Sequence, residues 1–219
     1  GHVNARTLGA VGAAALLLAP VITAGTLVGV VVLWDGTSQA ACNPSGAAVA
    51  VDPATVPNGP IAGYAGEQLV NAAYVMRAAA DLGLSVRDQT LGVMTAMGES
   101  GLRVLDYGDD VGPDSRGLFQ QRDNGAWGSL ADRMDPYISA RSFFTALARV
   151  TDRDQLEPTI AAHRVQGNAD PFYYRPFWGP AQQVVQALAG VPGATAPSPE
   201  AAAPDSGYQL GDVPAHTVT

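Results

Sequence analysis

The pattern of apolar and polar positions divides the chain into four stretches. From Leu8 to Trp34 no charged residue interrupts a run of Leu, Val, Ala and Gly. That run is longer than the ~20 residues that cross a bilayer and longer than the ~7–15 of a signal-peptide core. It predicts one transmembrane helix as an anchor over 1–34, with Arg6 on the cytoplasmic side and the remainder of the chain outside. Ser38-Gln39-Ala40 is a small-x-small pattern that keeps a cleaved signal peptide as the alternative. Residues 35–63 hold Pro44, Pro53, Pro57 and Pro60 among small residues, with no sustained period, and read as a spacer. The third stretch, 64–190, carries helical periodicity throughout. The last, 191–219, is rich in Pro, Ala and Gly and reads as a disordered linker tail.

Within 64–190, Leu69, Ala72, Ala73, Met76 and Ala80 recur at steps of three and four, which predicts a helix ending at Gly83. Ser85-Val86-Arg87-Asp88 is a capping box that opens a second helix through Leu91, Met94 and Gly98, with Glu99 at its far end. Gly117 to Gln121 is short, is bounded by Arg116 and Arg122, and suits a strand or hairpin. Ser129 with Asp132 caps a short helix, and Asp135-Pro136 opens another that carries Phe143, Phe144 and Leu147. Helical patterns follow at 153–166 and 176–190, separated by the aromatic cluster from Phe172 to Trp178. The fold class is therefore mainly α with one short β-hairpin.

Composition narrows what such a domain does. The chain has 219 residues, a formal charge of -8, 12 Arg and no Lys, and its arginines are scattered singly. Nucleic acid is excluded as a partner, since phosphate neutralisation needs clustered cations. The single cysteine, Cys42, rules out an internal disulfide framework and a cysteine zinc cluster. His2, His163 and His216 are too dispersed to frame a metal site. The Gly1-His2 start reads as a processed or engineered end and carries no fold information. The loop 101–116 contains Asp106, Asp109, Asp110 and Asp114 but lacks the Asp-x-Asp-x-Asp-Gly order of a calcium loop. No metal and no cofactor is expected.

The chemistry concentrates in Met97-Gly98-Glu99-Ser100-Gly101-Leu102 and Gly117-Leu118-Phe119-Gln120-Gln121. A carboxylate at the C-terminal end of an apolar helix meets the negative end of the helix dipole and apolar neighbours, and both favour its protonated form. Such a group can donate a proton to a leaving oxygen. Gln120, Gln121 and Tyr107 offer amide and hydroxyl contacts, and Trp127, in a Gly-rich turn, offers a stacking face. Trp178, Phe143 and Phe144 read as core instead.

These segments resemble the lysozyme-like α+β domain of soluble lytic transglycosylases over about Tyr64 to Gly190. Glu99-Ser100 is similar to that family's Glu-Ser motif, and Gly117-Leu118-Phe119-Gln120 to its Gly-Leu-Met-Gln motif. Tyr107-Gly108-Asp109, Trp127-Gly128 and Met134-Asp135-Pro136 add similarity to a branch found in secreted cell-wall lytic proteins of high-GC Gram-positive bacteria. The resemblance implies that Glu99 is the sole acid/base and that Ser100, Tyr107, Phe119, Gln120, Gln121 and Trp127 line a sugar cleft. It implies peptidoglycan glycan strands as substrate, cut between N-acetylmuramic acid and N-acetylglucosamine, and a domain held outside a cell membrane by a single span. It also implies service to secretion or conjugation machinery, and a second domain beginning where the tail lies. The family's Ala-Tyr-Asn-x-Gly motif has as its nearest counterpart His163-Arg164-Val165-Gln166-Gly167, which lacks Tyr, so Tyr173 or Tyr174 is expected to supply the orienting hydroxyl. Two other readings stand beside this one: a hydrolytic lysozyme using Asp109 or Asp110 as a second carboxylate, and a non-catalytic, membrane-tethered glycan-binding assembly protein.

Overall fold

A computed structural model of the protein describes residues 45–195. The anchor expected over 1–34, the first part of the spacer and the tail from 196 lie outside the described residues. Among the described residues no helix is long and apolar enough to cross a membrane. The fold is mainly helical: α1 (Glu67–Asp81), α2 (Val86–Ser100), α3 (Leu130–Met134), α4 (Pro136–Ala148), α5 (Pro158–Gln166) and α6 (Trp178–Ala189), with 3-10 turns at Pro53–Thr55 and Arg175–Phe177.

α2 is the axis of the domain. The Ser85 side chain accepts from the Asp88 N–H and opens the helix. From Leu91 to Met97 every residue is buried, so this helix is covered on all sides. α1, α4, α5 and α6 pack around it. Gly92 makes one of these contacts possible, because a Cβ there would lie 2.3 Å from the Phe144 ring. α1 packs closely on α4, and many of its buried residues are alanines, including Ala72, Ala73 and Ala80. The buried Gln89 is bonded inside this core, donating to the Val49 and Met76 carbonyls at 2.7 and 2.8 Å.

Three boundaries and one element differ from the sequence-based expectation, and the first is the helix expected over 153–166, which begins only at Pro158. The segment 45–51, expected to be spacer, belongs to the domain: Ala48, Val49 and Val51 are buried, and single bridges pair Ala47 with Ser85 and Ala50 with Thr195. Its apolar residues have neither a helical nor an alternating period, and their partners are remote in sequence, so local pattern gave no sign of it. The start of the presumed tail is likewise ordered as far as Thr195, with Ala194 buried. The hairpin at Gly117–Gln121 is a tight turn closed by one bridge, Arg116 to Gln121. Leu118 and Phe119 are consecutive and both fully buried, and neither takes part in a bridge. Among the described residues β-structure consists of isolated bridges.

Candidate active site

The site grows from the C-terminal end of α2. Gly101 adopts a left-handed conformation (φ 62°) that stops the helix, and Leu102 follows it at φ 61° although it is not glycine. Two successive residues in that region carry a strain of roughly 1–2 kcal/mol at Leu102 alone. The surroundings hold it: the Leu102 side chain is fully buried, and α1 reaches across to bond both carbonyls, Gln68 to Gly101 at 2.7 Å and Asn71 to Leu102 at 2.9 Å. Ser100 donates from Oγ to the Leu118 carbonyl at 2.8 Å, which ties the end of α2 to the 117–121 turn. Glu99 is thus fixed from below and from one side.

The other side is aromatic. The Tyr174 hydroxyl donates to Glu99 Oε1, and the Tyr173 hydroxyl donates to the Gly98 carbonyl at 2.9 Å. The two rings meet edge to face with centroids 5.1 Å apart. Gln166, the last residue of α5, bonds the Phe119 carbonyl at 3.0 Å and also reaches the Glu99 carboxyl and the Tyr174 hydroxyl. Both side chains act on Glu99 as donors.

Burial pushes the Glu99 carboxyl above the usual carboxylate range; the bonds from Tyr174 and Gln166 pull it partly back, and the charge of Asp109 adds a further upward push. Burial and the adjacent Glu99 charge hold Tyr174 far above the ordinary phenol value, so it remains a proton donor in the hydrogen bond. In consequence Glu99 is held in place as a carboxyl that keeps its proton more readily than a solvated one.

Glu99 opens onto a cleft of about 540 Å³ lined by Gly98, Leu105, Tyr107, Asp109, Gln120, Asn168, Asp170 and Tyr173, among others. Of the residues expected in the site, Tyr107, Gln120, Asp109 and Tyr173 face this cleft with Glu99. Tyr107 and Tyr173 are exposed aromatics, at 61% and 45%, and offer ring faces to a ligand. Tyr174 lies beneath the wall and touches the acid. The others are placed differently. Ser100 is a structural tie, Phe119 is fully buried and stacked on Phe143 at 4.7 Å, and Gln121 is buried and donates to the Ser139 carbonyl. Trp127 is 8% exposed and belongs to the core, so it is not a stacking platform. Asp110 is exposed and does not line the cleft, whereas Asp109 does, with Oδ1 accepting from the Val111 and Gly112 N–H groups.

Compared with protein-family models and with curated proteins, the chain matches none. The chemistry of the site therefore has to be read from its residues. Sequence reasoning missed Gln166, Asn168 and Asp170. The available signal was the helix stop at Gly167 (φ 66°), which aims the last polar residue of α5 toward the end of α2. Among the described residues no group of three or more His, Cys, Asp or Glu gathers into a metal-binding set. What the arrangement offers is one proton donor, an orienting hydroxyl and amide, and a groove with aromatic, amide and carboxylate walls.

Proposed function

We propose that the protein is a peptidoglycan lytic transglycosylase with a lysozyme-like domain, in which Glu99 acts as sole acid and base. A single observation carries the reading: a carboxyl of raised proton affinity, bonded by the Tyr174 hydroxyl, opens onto a groove walled by Tyr107, Tyr173, Gln120 and Asn168. Exposed rings suit the apolar faces of sugars, and amides suit their acetamido groups. The Glu-Ser and Gly-Leu-Phe-Gln segments, which resemble that family's motifs, are joined here by the Ser100–Leu118 hydrogen bond.

In this reading Glu99 gives its proton to the oxygen linking N-acetylmuramic acid to N-acetylglucosamine as the C1–O bond breaks. Positive charge develops at C1. Glu99, now ionised, takes the proton of the same sugar's primary hydroxyl while that oxygen attacks C1, so an anhydro ring closes without water and the acid is regenerated. Tyr174 and Gln166 hold the carboxyl during both transfers, and their donors steady the ionised form between them. The domain acts on the cell wall from a membrane tether supplied by the anchor expected over 1–34.

A hydrolytic lysozyme is the second reading, favoured by one observation: Asp109 faces the same cleft and its charge is felt at Glu99. Mass spectrometry of sugars released from purified peptidoglycan separates the two. Anhydro ends support the transglycosylase, reducing ends support the lysozyme, and absence of any released sugar refutes both.

A further inference from the structure

Gly98 stands directly before the acid and has no side chain. A Cβ built there would lie 2.7 Å from Tyr174 Cδ1, 3.0 Å from its Cε1 and 3.3 Å from Tyr173 Cε1. The Tyr174 ring fills the space a side chain would take, and the Tyr173 ring would have to give by a few tenths of an ångström. The Gly98 carbonyl belongs to the last turn of α2, where carbonyls lack helical partners, and the Tyr173 hydroxyl satisfies it at 2.9 Å. One bare residue thus seats a pair of rings, one bonded to its own carbonyl and the other to the next residue's carboxyl.

We propose that Gly98 is a positioning residue, whose missing side chain seats the Tyr173–Tyr174 pair on α2 and so keeps the Tyr174 hydroxyl on Glu99. The glycine is otherwise a poor choice, because alanine in a helix is more stable than glycine. Its presence in the final turn of the axial helix is explained by the rings. With alanine in its place the pair must lift, and the hydroxyl leaves the carboxyl. The charged and titratable groups that act on Glu99 are Tyr174 before α6 and Asp109 in the 101–116 loop, and Glu99 in turn acts on Tyr173. Of these only Tyr174 donates a hydrogen bond to Glu99, so its loss moves the titration of Glu99 upward.

The inference rests on Glu99 being the proton carrier of the cleft, and its test needs no turnover. Titration of the Glu99 carboxyl, followed by carbon NMR in the full chain, gives a midpoint for the parent, Gly98→Ala, Tyr174→Phe and the double variant. Gly98→Ala is expected to raise the midpoint by about one pH unit, the worth of a hydrogen bond to a charged group. In the Tyr174→Phe background the same change is expected to move it by less than about 0.3 unit, because two changes acting through one contact do not add. A Gly98→Ala protein with an unmoved midpoint and a raised melting temperature overturns the proposal. Should Gly98→Ala not fold, Tyr173→Phe removes only the bond to the Gly98 carbonyl. A rise in its midpoint supports the proposal and an unmoved one overturns it. In an active enzyme the alkaline limb of kcat/KM shifts with the midpoint. Failure of the parent to cut glycan sinks the proposed function while leaving this titration readable, and an unmoved midpoint in an active parent does the reverse.

Discussion

Burial raises the proton affinity of the Glu99 carboxyl, and the donors around it only partly offset that effect. The sign of the linkage follows. A carboxyl whose folded pKa lies above its unfolded value, about 4.3, favours the fold most when protonated in both states. That contribution is complete below the unfolded pKa and is lost as pH climbs through the raised folded one. Glu99→Gln removes this slope, since an amide accepts the Tyr174 hydrogen bond without a charge to bury. At pH 7 the variant is expected to be at least as stable as the parent, by about 0.5–2 kcal/mol, a common exchange of activity for stability. Urea unfolding from pH 4 to 8 measures it; a variant markedly less stable at neutral pH would contradict the burial account. At this scale the place of the Glu99 carboxyl at a helix end was legible, because Gly-Glu-Ser-Gly ends an apolar helix and is followed by the Gly-Leu-Phe-Gln turn. Its partner was legible only as one of two tyrosines, for Tyr174 stands 75 positions from Glu99 and the fold alone brings them together. Trp127 was misplaced for the converse reason: a Gly-rich neighbourhood suggested exposure, and packing buried the ring.

Among the elements, the 117–121 turn is held tightly by its surroundings. Gly117 has φ 76°, and a Cβ on it would fall 1.8 Å from the Arg133 carbonyl oxygen, a backbone atom that cannot swing aside. Gly117→Ala combines left-handed strain with that clash, so a loss of about 3 kcal/mol or more is expected. Because the same turn presents Gln120 to the cleft and receives Ser100, binding of glycan fragments should weaken along with the melting temperature. Calorimetry and fragment titration check both; an unchanged melting temperature would show that the turn is not so held. The helices were legible from spacing and caps: Ser85, Ser129 and Asp135 all accept the N-cap bonds their types predict. The hairpin was not, because two adjacent apolar residues can be buried together in a turn as readily as on a strand.

At the scale of the whole domain, its two ends are joined. Ala50 and Thr195 exchange backbone hydrogen bonds of 2.8 and 2.9 Å, and Val49 meets the side chain of Gln89 in the core. Removing residues 1–51 exposes the sites filled by Val49 and Val51, worth about 1.5–3 kcal/mol each, and strips Gln89 of a buried partner. Against a total stability of about 5–15 kcal/mol, such a fragment should unfold at much lower urea than a chain beginning at residue 45. Coincident midpoints for the two fragments would return 45–51 to the status of spacer. This closure was illegible in the sequence because its contacts join segments that are each too short to show a period. The functional account depends on the Glu99 carboxyl, part-buried where the end of α2 meets the cleft. The most direct test is turnover of purified peptidoglycan by the parent and by Glu99→Gln at equal concentration. The account predicts soluble fragments from the parent and a rate lower by about 10²–10⁴ from the folded variant; a variant that cuts at a comparable rate, or a parent that leaves the polymer whole, would contradict it.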